Sequence, residues 1–397
     1  MDSVSIARDL LARYPLVDGH NDLAWQLREI YGADSDQVNL AKDVESTHTD
    51  LLRLAAGGVG AQFWSVFVPV SLASESAVAT TLEQIDFVRR MVRRYPDSLE
   101  LALTADDVER VMADGKVASL LGAEGGHCIA DSLGVLRVFY DLGVRYLTLT
   151  HYTNVAWADS ATDKPVTHGL TGFGRLVVAE MQRLGMLVDL SHVSAPTMHD
   201  ALDVSRAPVI FSHSSARALC DHPRNVADDV LARLAANNGV CMVTFVPAFV
   251  SQERRDWDLG LAAEMERRGM DPGDWASRAT VRAEWDRAHP APLATLAQVA
   301  DHVEHVREVA GVEHVGLGGD FDGSSDLPEG LADVSCYPAL FAELLARGWS
   351  ETDCGRLAQG NILRVMREAE AAAAEISAQQ EPLQARIEDV DVPDHVA

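Results

Sequence analysis

Eight short apolar runs punctuate the chain: Pro15–Val17, Val59–Val68, Lys116–Ala123, Val144–Thr150, Met186–Ser191, Pro208–Ser212, Val240–Phe245 and His314–Gly319. Continuous apolar runs of this length read as strands buried on both faces. Between them, apolar positions recur at helical spacing over Ser3–Tyr14, Asp43–Ala56, Ser76–Tyr95, Ala105–Asp114, Gly174–Leu184 and Pro196–Asp203. The alternation predicts a parallel α/β protein, and closure at eight strands predicts a TIM-type (β/α)8 barrel. A doubly wound sheet shares the alternation, but it would not bring the ends of the first, third, fifth, sixth and eighth strands to one point. The expected layout is one barrel domain over residues 1–370. Helical insertions follow the second strand (Val70–Gly115) and the seventh (Pro247–Ala294, with Trp257, Trp275 and Trp285), and residues 371–397 form an acidic, alanine-rich tail, loosely attached or partly disordered.

The polar residues that close these runs change the picture from fold to chemistry. His20 and Asp22 lie two apart after the first run, and in an extended strand such residues share a face. Later runs end at Glu124, His151, His192, His213 and Asp320. Barrels of this type place their sites at the C-terminal ends of the strands. His20, His192 and His213 with Asp22 and Glu124 are an inventory suited to two divalent ions sharing one carboxylate, and Glu124 is the natural bridge. Two ions about 3.5–4 Å apart lower the pKa of a bridging water; nitrogen and oxygen donors suit zinc but also admit manganese. His151, Arg224 and Asp320 fall near by the same placement. Asp189 reads either as an orienting partner of a ligand histidine or as a buried carboxylate paired to an arginine. His127, His168, His199, His222, His302 and His305 read as surface or structural residues, and His48 and His314 receive no role.

Composition narrows the partners. The 397 residues are 47% apolar with a formal charge of −27, which argues against nucleic acid and anionic membrane surfaces. No run approaches the roughly 18 apolar residues of a membrane span. Five cysteines at scattered spacings form no CxxC pair and fit a reduced, cytoplasmic setting. The only lysines, Lys42, Lys116 and Lys164, are not placed to serve as a carboxylated metal bridge.

With these residues in place, the chain resembles the renal, or membrane, dipeptidase family of zinc peptidases. The motifs are Val17-Asp18-Gly19-His20-Asn21-Asp22, Gly122-Ala123-Glu124-Gly125, Leu147-Thr148-Leu149-Thr150-His151, Asp189-Leu190-Ser191-His192, Phe211-Ser212-His213-Ser214, His222-Pro223-Arg224-Asn225, the Gly316–Gly323 stretch and Gly360-Asn361-Ile362-Leu363-Arg364-Val365. Eight motifs in order over nearly the whole chain are specific where each alone is modest. The resemblance implies two Zn2+ per chain, one on His20, Asp22 and Glu124 and one on Glu124, His192 and His213. It implies hydrolysis of free dipeptides, L-Xaa-L-Xaa and L-Xaa-D-Xaa, by a metal-bridging hydroxide, and it allows a homodimer. His151 is then placed for the oxyanion, Asp320 for the proton and Arg224 for the substrate carboxylate, with a salt bridge from Arg224 to Asp228 or Asp229 as the alternative. Mammalian members carry a leader and a lipid anchor. The absence of both patterns here predicts a soluble cytoplasmic protein of the bacterial branch. Trp25 and Phe249 are expected near the side-chain pockets. The competing function is a glutamate-bridged amidohydrolase or lactonase acting on N-acyl or cyclic substrates, and a degenerate barrel kept as a scaffold would have lost a ligand.

Overall fold

All six residues of Leu16–Asn21 are buried, as are all of Val59–Ser65 and Val117–Glu124. Strands packed on both faces need no regular polar alternation, which is why their apolar stretches show no period of two. The computed structural model describes residues 3–32, 37–273 and 275–391, with the side chains of residues 275 and 276 outside the description; the expected role of Trp275 and the tail beyond residue 391 lie outside it too. The strands are β1 (Leu16–Asn21), β2 (Val59–Ser65), β3 (Leu99–Leu101), β4 (Val117–Glu124), β5 (Val144–Thr148), β6 (Leu187–Asp189), β7 (Ile210–Phe211), β8 (Val240–Val243) and β9 (Val315–Leu317). Parallel pairing runs β1–β2–β4–β5–β6–β7–β8–β9 and returns to β1 through Asp18 and Leu317, closing an eight-stranded barrel ringed by helices. β3 stands outside that ring. It takes the lower part of the β4 edge, at Val117–Ser119, while β5 takes the upper part from Leu121.

The barrel interior is layered. Its lower part is apolar, with Val17, Phe63, Leu120, Ile210 and Met242 in one buried cluster. Ile362, Leu363, Val365 and Met366 of the helix Asn361–Ser377 join that cluster from below. Asn361 Nδ2 donates to the carbonyls of Val312 and Val315 at 2.7 and 2.8 Å, fixing the helix under the start of β9. The expected boundary at 370/371 therefore falls inside a helix. The following segment is tied back as far as Asp391, whose carboxylate accepts Thr171 Oγ1 at 2.5 Å and the Phe173 N–H at 3.1 Å.

Two local expectations change. Only Leu51–Gly57 of the predicted Asp43–Ala56 helix is helical, because the Asp50 side chain accepts the Arg53 N–H at 2.8 Å and so caps the helix there. The residues before it form turns, held by Arg53 donating to the carbonyls of Val44 and Thr47 at 2.8 and 2.7 Å. The insertion after β8 is helical as expected, over Pro247–Val250, Gln252–Arg267 and Trp275–Ala288. It has a small core of its own around Trp257, Leu261, Met265 and Val281. Asp326, in the loop after β9, anchors it by accepting from Arg254 at 2.5 Å and from Arg282.

Candidate functional site

Every residue named from the strand ends converges on the C-terminal mouth of the barrel, around the Glu124 carboxylate at the end of β4. Oε2 accepts the Ser65 hydroxyl at 3.1 Å and lies 3.5 Å from His20 Nε2, which is itself 3.3 Å from Asp22 Oδ2. Oε1 faces the other way, 3.0 Å from His192 Nε2, 3.5 Å from His213 Nε2 and 3.7 Å from His151 Nε2. The two oxygens of one carboxylate thus address two separate sets of donors.

His20 and Asp22 reach this point by a different route from the extended strand that their spacing suggests. Asp18 pairs with Gln62 and Asn21 with Trp64, so β1 carries one extra residue over that interval, a bulge that re-aims His20. β1 ends at Asn21, and Asp22 is the N-cap of the helix Leu23–Tyr31, at φ −97° and ψ 18°. His192 and Asp320 are held in the left-handed region, at φ 70° and 60°, a conformation that non-glycine residues keep only where the surroundings impose it.

Beneath the mouth a set of buried polar groups orients the imidazoles. His20 Nδ1 lies 2.7 Å from the Tyr146 hydroxyl. Tyr146 needs a glycine beside it, since a Cβ on Gly122 would fall 2.0 Å from its ring. His213 Nδ1 lies 2.8 Å from Ser212 Oγ, which donates to Asp189 Oδ2 at 2.6 Å. With the serine proton committed to Asp189, Nδ1–H is the donor to Ser212, and His213 Nε2 is left with its lone pair facing Glu124. Asp189 also accepts Thr148 Oγ1 at 2.6 Å and the N–H groups of Ser191 and Ser212, and among the described residues no arginine pairs with it.

The electrostatics separate the two sides of Glu124. Burial, then the Arg224 charge, holds His192 and His151 neutral, well below the ordinary histidine range. Burial and then the charge on His20 do the same to His213. His20 is the exception: burial works against its proton, but Tyr146, Glu124 and Asp22 outweigh it. Burial raises Asp320 well above the usual carboxylate range, with the charges of Asp22 and Glu124 adding to the rise and His20 opposing it.

Neutral imidazoles and carboxylates are the donor chemistry of a divalent metal. Three triads bring ligand atoms within 4.8 Å of one another: His20, Glu124 and His213; Glu124, His151 and His192; and His20, Asp22 and Asp320. Asp22 Oδ1 and the Nδ1 atoms of His151 and His192 are buried with no partner. His192 and His213 set their Nε2 atoms 3.0 Å apart, both aimed at the same Glu124 oxygen. Lone pairs crowded in this way call for a shared cation, and the residues fit a metal centre.

Arg224 stands beside this cluster, 1% exposed. It donates to Ser214 Oγ at 3.3 Å and to the His213 carbonyl at 3.2 Å, and its Nε is buried without a partner. Among the described residues no carboxylate pairs with it. Asp228 is bonded to His305 and Asp229 to His199, so the alternative salt bridges are not made. Lys116 pairs with Glu100 at 3.0 Å, away from the mouth, and takes no part.

The sequence reading missed Tyr146, Ser65 and Tyr152. Tyr146 sits inside an apolar strand and looks like core. Ser65 ends β2 and carried the same positional signal as the ligand residues. Tyr152, 55% exposed, lays its ring 4.1 Å from His151, whose other side meets Phe67 at 4.9 Å, with Trp25 beyond. Phe249 lies under the Arg224 guanidinium at 5.3 Å.

Comparison with known proteins gives a consistent answer. The membrane dipeptidase family, peptidase family M19, matches residues 4–380. Dipeptidase 3 of Mus musculus is 44% identical over 367 residues, 91% of this chain and 66% of the mouse protein, so the chain spans just under two thirds of that relative. An uncharacterised dipeptidase of Schizosaccharomyces pombe is 44% identical over 378 residues, covering 92% of this chain and 83% of the yeast protein. The probable dipeptidase PvdM of Pseudomonas aeruginosa shares the fold, with a TM-score of 0.81 at 24% identity over 93% of this chain and 99% of that one. A Rhodobacter sphaeroides metallopeptidase liganded with a phosphinate mimic of L-Ala-D-Ala superposes with a TM-score of 0.73 at 25% identity, over 89% of this chain and 99% of its own. Among the described residues no helix is long and apolar enough to cross a membrane. The chain belongs to the membrane dipeptidase family, peptidase family M19.

Proposed function

We propose that the protein is a metal-dependent dipeptidase that hydrolyses free dipeptides, including those with a D-residue at the C-terminal side. The observation that carries the reading is the pairing of two features in one mouth: a carboxylate shared between two donor sets, and a buried arginine with no carboxylate of its own. His20, Asp22 and Glu124 would hold one divalent ion and Glu124, His192 and His213 the other, zinc being the first expectation. When bound, the ions supply electrophilic activation of the peptide carbonyl and acidification of the attacking water.

The chain's own residues supply the rest. Arg224 offers its free guanidinium donors to the C-terminal carboxylate of the substrate, so an amidated or longer peptide leaves that buried charge unpaired. His151 Nε2 is placed to donate to the oxyanion that forms as water adds to the carbonyl. Asp320, whose buried carboxyl holds a proton more readily than an exposed carboxylate does, accepts the proton of the attacking water as the C–O bond forms. It returns that proton to the amine nitrogen as the C–N bond breaks. The D-residue tolerance is supported by the Rhodobacter sphaeroides metallopeptidase, which accommodates a mimic of L-Ala-D-Ala.

A hydrolysis screen tests the reading. Metal-loaded protein is offered L-Xaa-L-Xaa and L-Xaa-D-Xaa dipeptides with their N-acetylated and C-amidated forms. Turnover of the free dipeptides, lost on C-amidation and in Asp320→Asn, is the expected result. No turnover from protein carrying two metals per chain refutes it.

A further inference from the structure

The turn that carries Asp320 is gripped from two sides, and one grip belongs to a residue with no part in the chemistry above. Asp320 and Asp322 both lie in the left-handed region, at φ 60° and 66°. That conformation costs a non-glycine residue about 1–3 kcal/mol and persists only where its surroundings over-determine it. The end of β1 supplies one constraint: the Asp320 N–H donates to the His20 carbonyl at 3.2 Å, and the Asp22 N–H to the Phe321 carbonyl at 2.9 Å.

His48 supplies the other. Its Nδ1 accepts the Asp322 N–H at 3.0 Å, and its own main-chain N–H donates to Asp322 Oδ1 at 2.6 Å. The segment bearing His48 is itself fixed. Arg53 braces the turns before it, and the Val334 N–H donates to the His48 carbonyl at 3.2 Å. The turn packs closely on both carboxylates, since a Cβ on Gly323 would come 2.3 Å from Asp22 Oδ2 and from Asp320 Oδ1.

We propose that His48 is a positioning residue: by accepting the Asp322 N–H through Nδ1 it fixes the left-handed turn that aims Asp320 at the attacking water and the leaving amine. The role rests on the assignment of Asp320 as proton carrier. Among the described residues His48 makes no hydrogen bond to a metal-ligating candidate and reaches the site only through the turn.

Two substitutions of similar polarity test it. In His48→Asn the amide oxygen stands where Nδ1 stood, whereas in His48→Gln it is one carbon too far. His48→Asn is expected to keep kcat within about threefold, and His48→Gln to lose about ten- to a hundredfold with KM and metal content little changed, since misplacement by about 1 Å costs about 10²-fold. In an Asp320→Asn background, His48→Gln costs little more, because the two residues act as one unit. Equal kcat in His48→Asn and His48→Gln overturns the proposal, as does a full further loss on top of Asp320→Asn. Asp320→Asn alone, if it retained the parental kcat, would remove the assignment of Asp320 and the positioning role with it, a result read before either His48 variant.

Discussion

Two layers of buried polar groups lie one above the other in this barrel, and they are satisfied to different degrees. In the lower layer, Asp18 accepts the His20 N–H at 2.8 Å, Gln62 Nε2 at 3.1 Å, the Gly319 N–H and the Tyr337 hydroxyl, while Asp189 accepts four donors. In the upper layer, Asp22 Oδ1, His151 Nδ1, His192 Nδ1 and Arg224 Nε have none. A buried polar atom left unpaired costs about 1–3 kcal/mol. The lower carboxylates are paired by the chain and hold strands together. Gln62 Oε1 and Ser119 Oγ below are also unpaired, but they are neutral, whereas the unpaired upper set includes a carboxylate oxygen and an arginine nitrogen. The contrast separates the part of the barrel that is scaffold from the part that is site.

The largest effect should come from the carboxylate between the two donor sets. Glu124→Gln replaces one acceptor oxygen with an N–H2 that repels whatever its neighbours share, so kcat/KM should fall by about 10³-fold or more, with metal content per chain falling in parallel. Retention of metal and of activity would erase the distinction between the layers. A smaller effect should follow in the lower layer. Asp189→Asn keeps the shape but breaks the Ser212–His213 relay, and metal affinity measured by competition with a chelator should drop about 10- to 100-fold. The smallest effect on the chemistry should come from a paired group outside the mouth, where the change falls on stability. His302 accepts the Ala216 N–H at 3.0 Å on Nδ1 and meets the Val250 carbonyl at 2.9 Å through Nε2. Burial pulls its pKa down from 6.5 to about 4, against the partial pull of the Val250 carbonyl. The folded state thus favours the neutral ring, so its contribution is fully present above pH 6.5 and is lost as the pH falls toward 4. At full protonation the loss is about 3 kcal/mol. Urea melts between these pH values should show a slope that His302→Gln flattens.

The barrel and its mouth were legible because strand runs and their closing residues are local signals. What lay beyond the sequence depended on contacts distant along the chain. β3 carries only Leu99, Glu100 and Leu101, and Glu100 pairs with Lys116, so nothing in three residues announces a strand. The helix predicted from Asp43 follows the apolar spacing but ignores Asp50, whose side chain serves the backbone better as a cap. His20 and Asp22 meet for a reason the alternation rule does not contain, a bulge followed by a helix cap. His48 carried no signal at all, since its partner Asp322 is 274 positions away.

Barrel closure has a consequence for how the protein comes into being on the ribosome. Asp18 in β1 receives the Tyr337 hydroxyl from 319 positions later, and the helix Asn361–Ser377 must still arrive to seal the base. Contacts of such separation form late and slowly. A nascent chain therefore displays His20 and Asp22 long before Asp320 exists to face them, and an emerging polypeptide can hold no competent mouth. The mouth is complete only once the chain has emerged past Ser377.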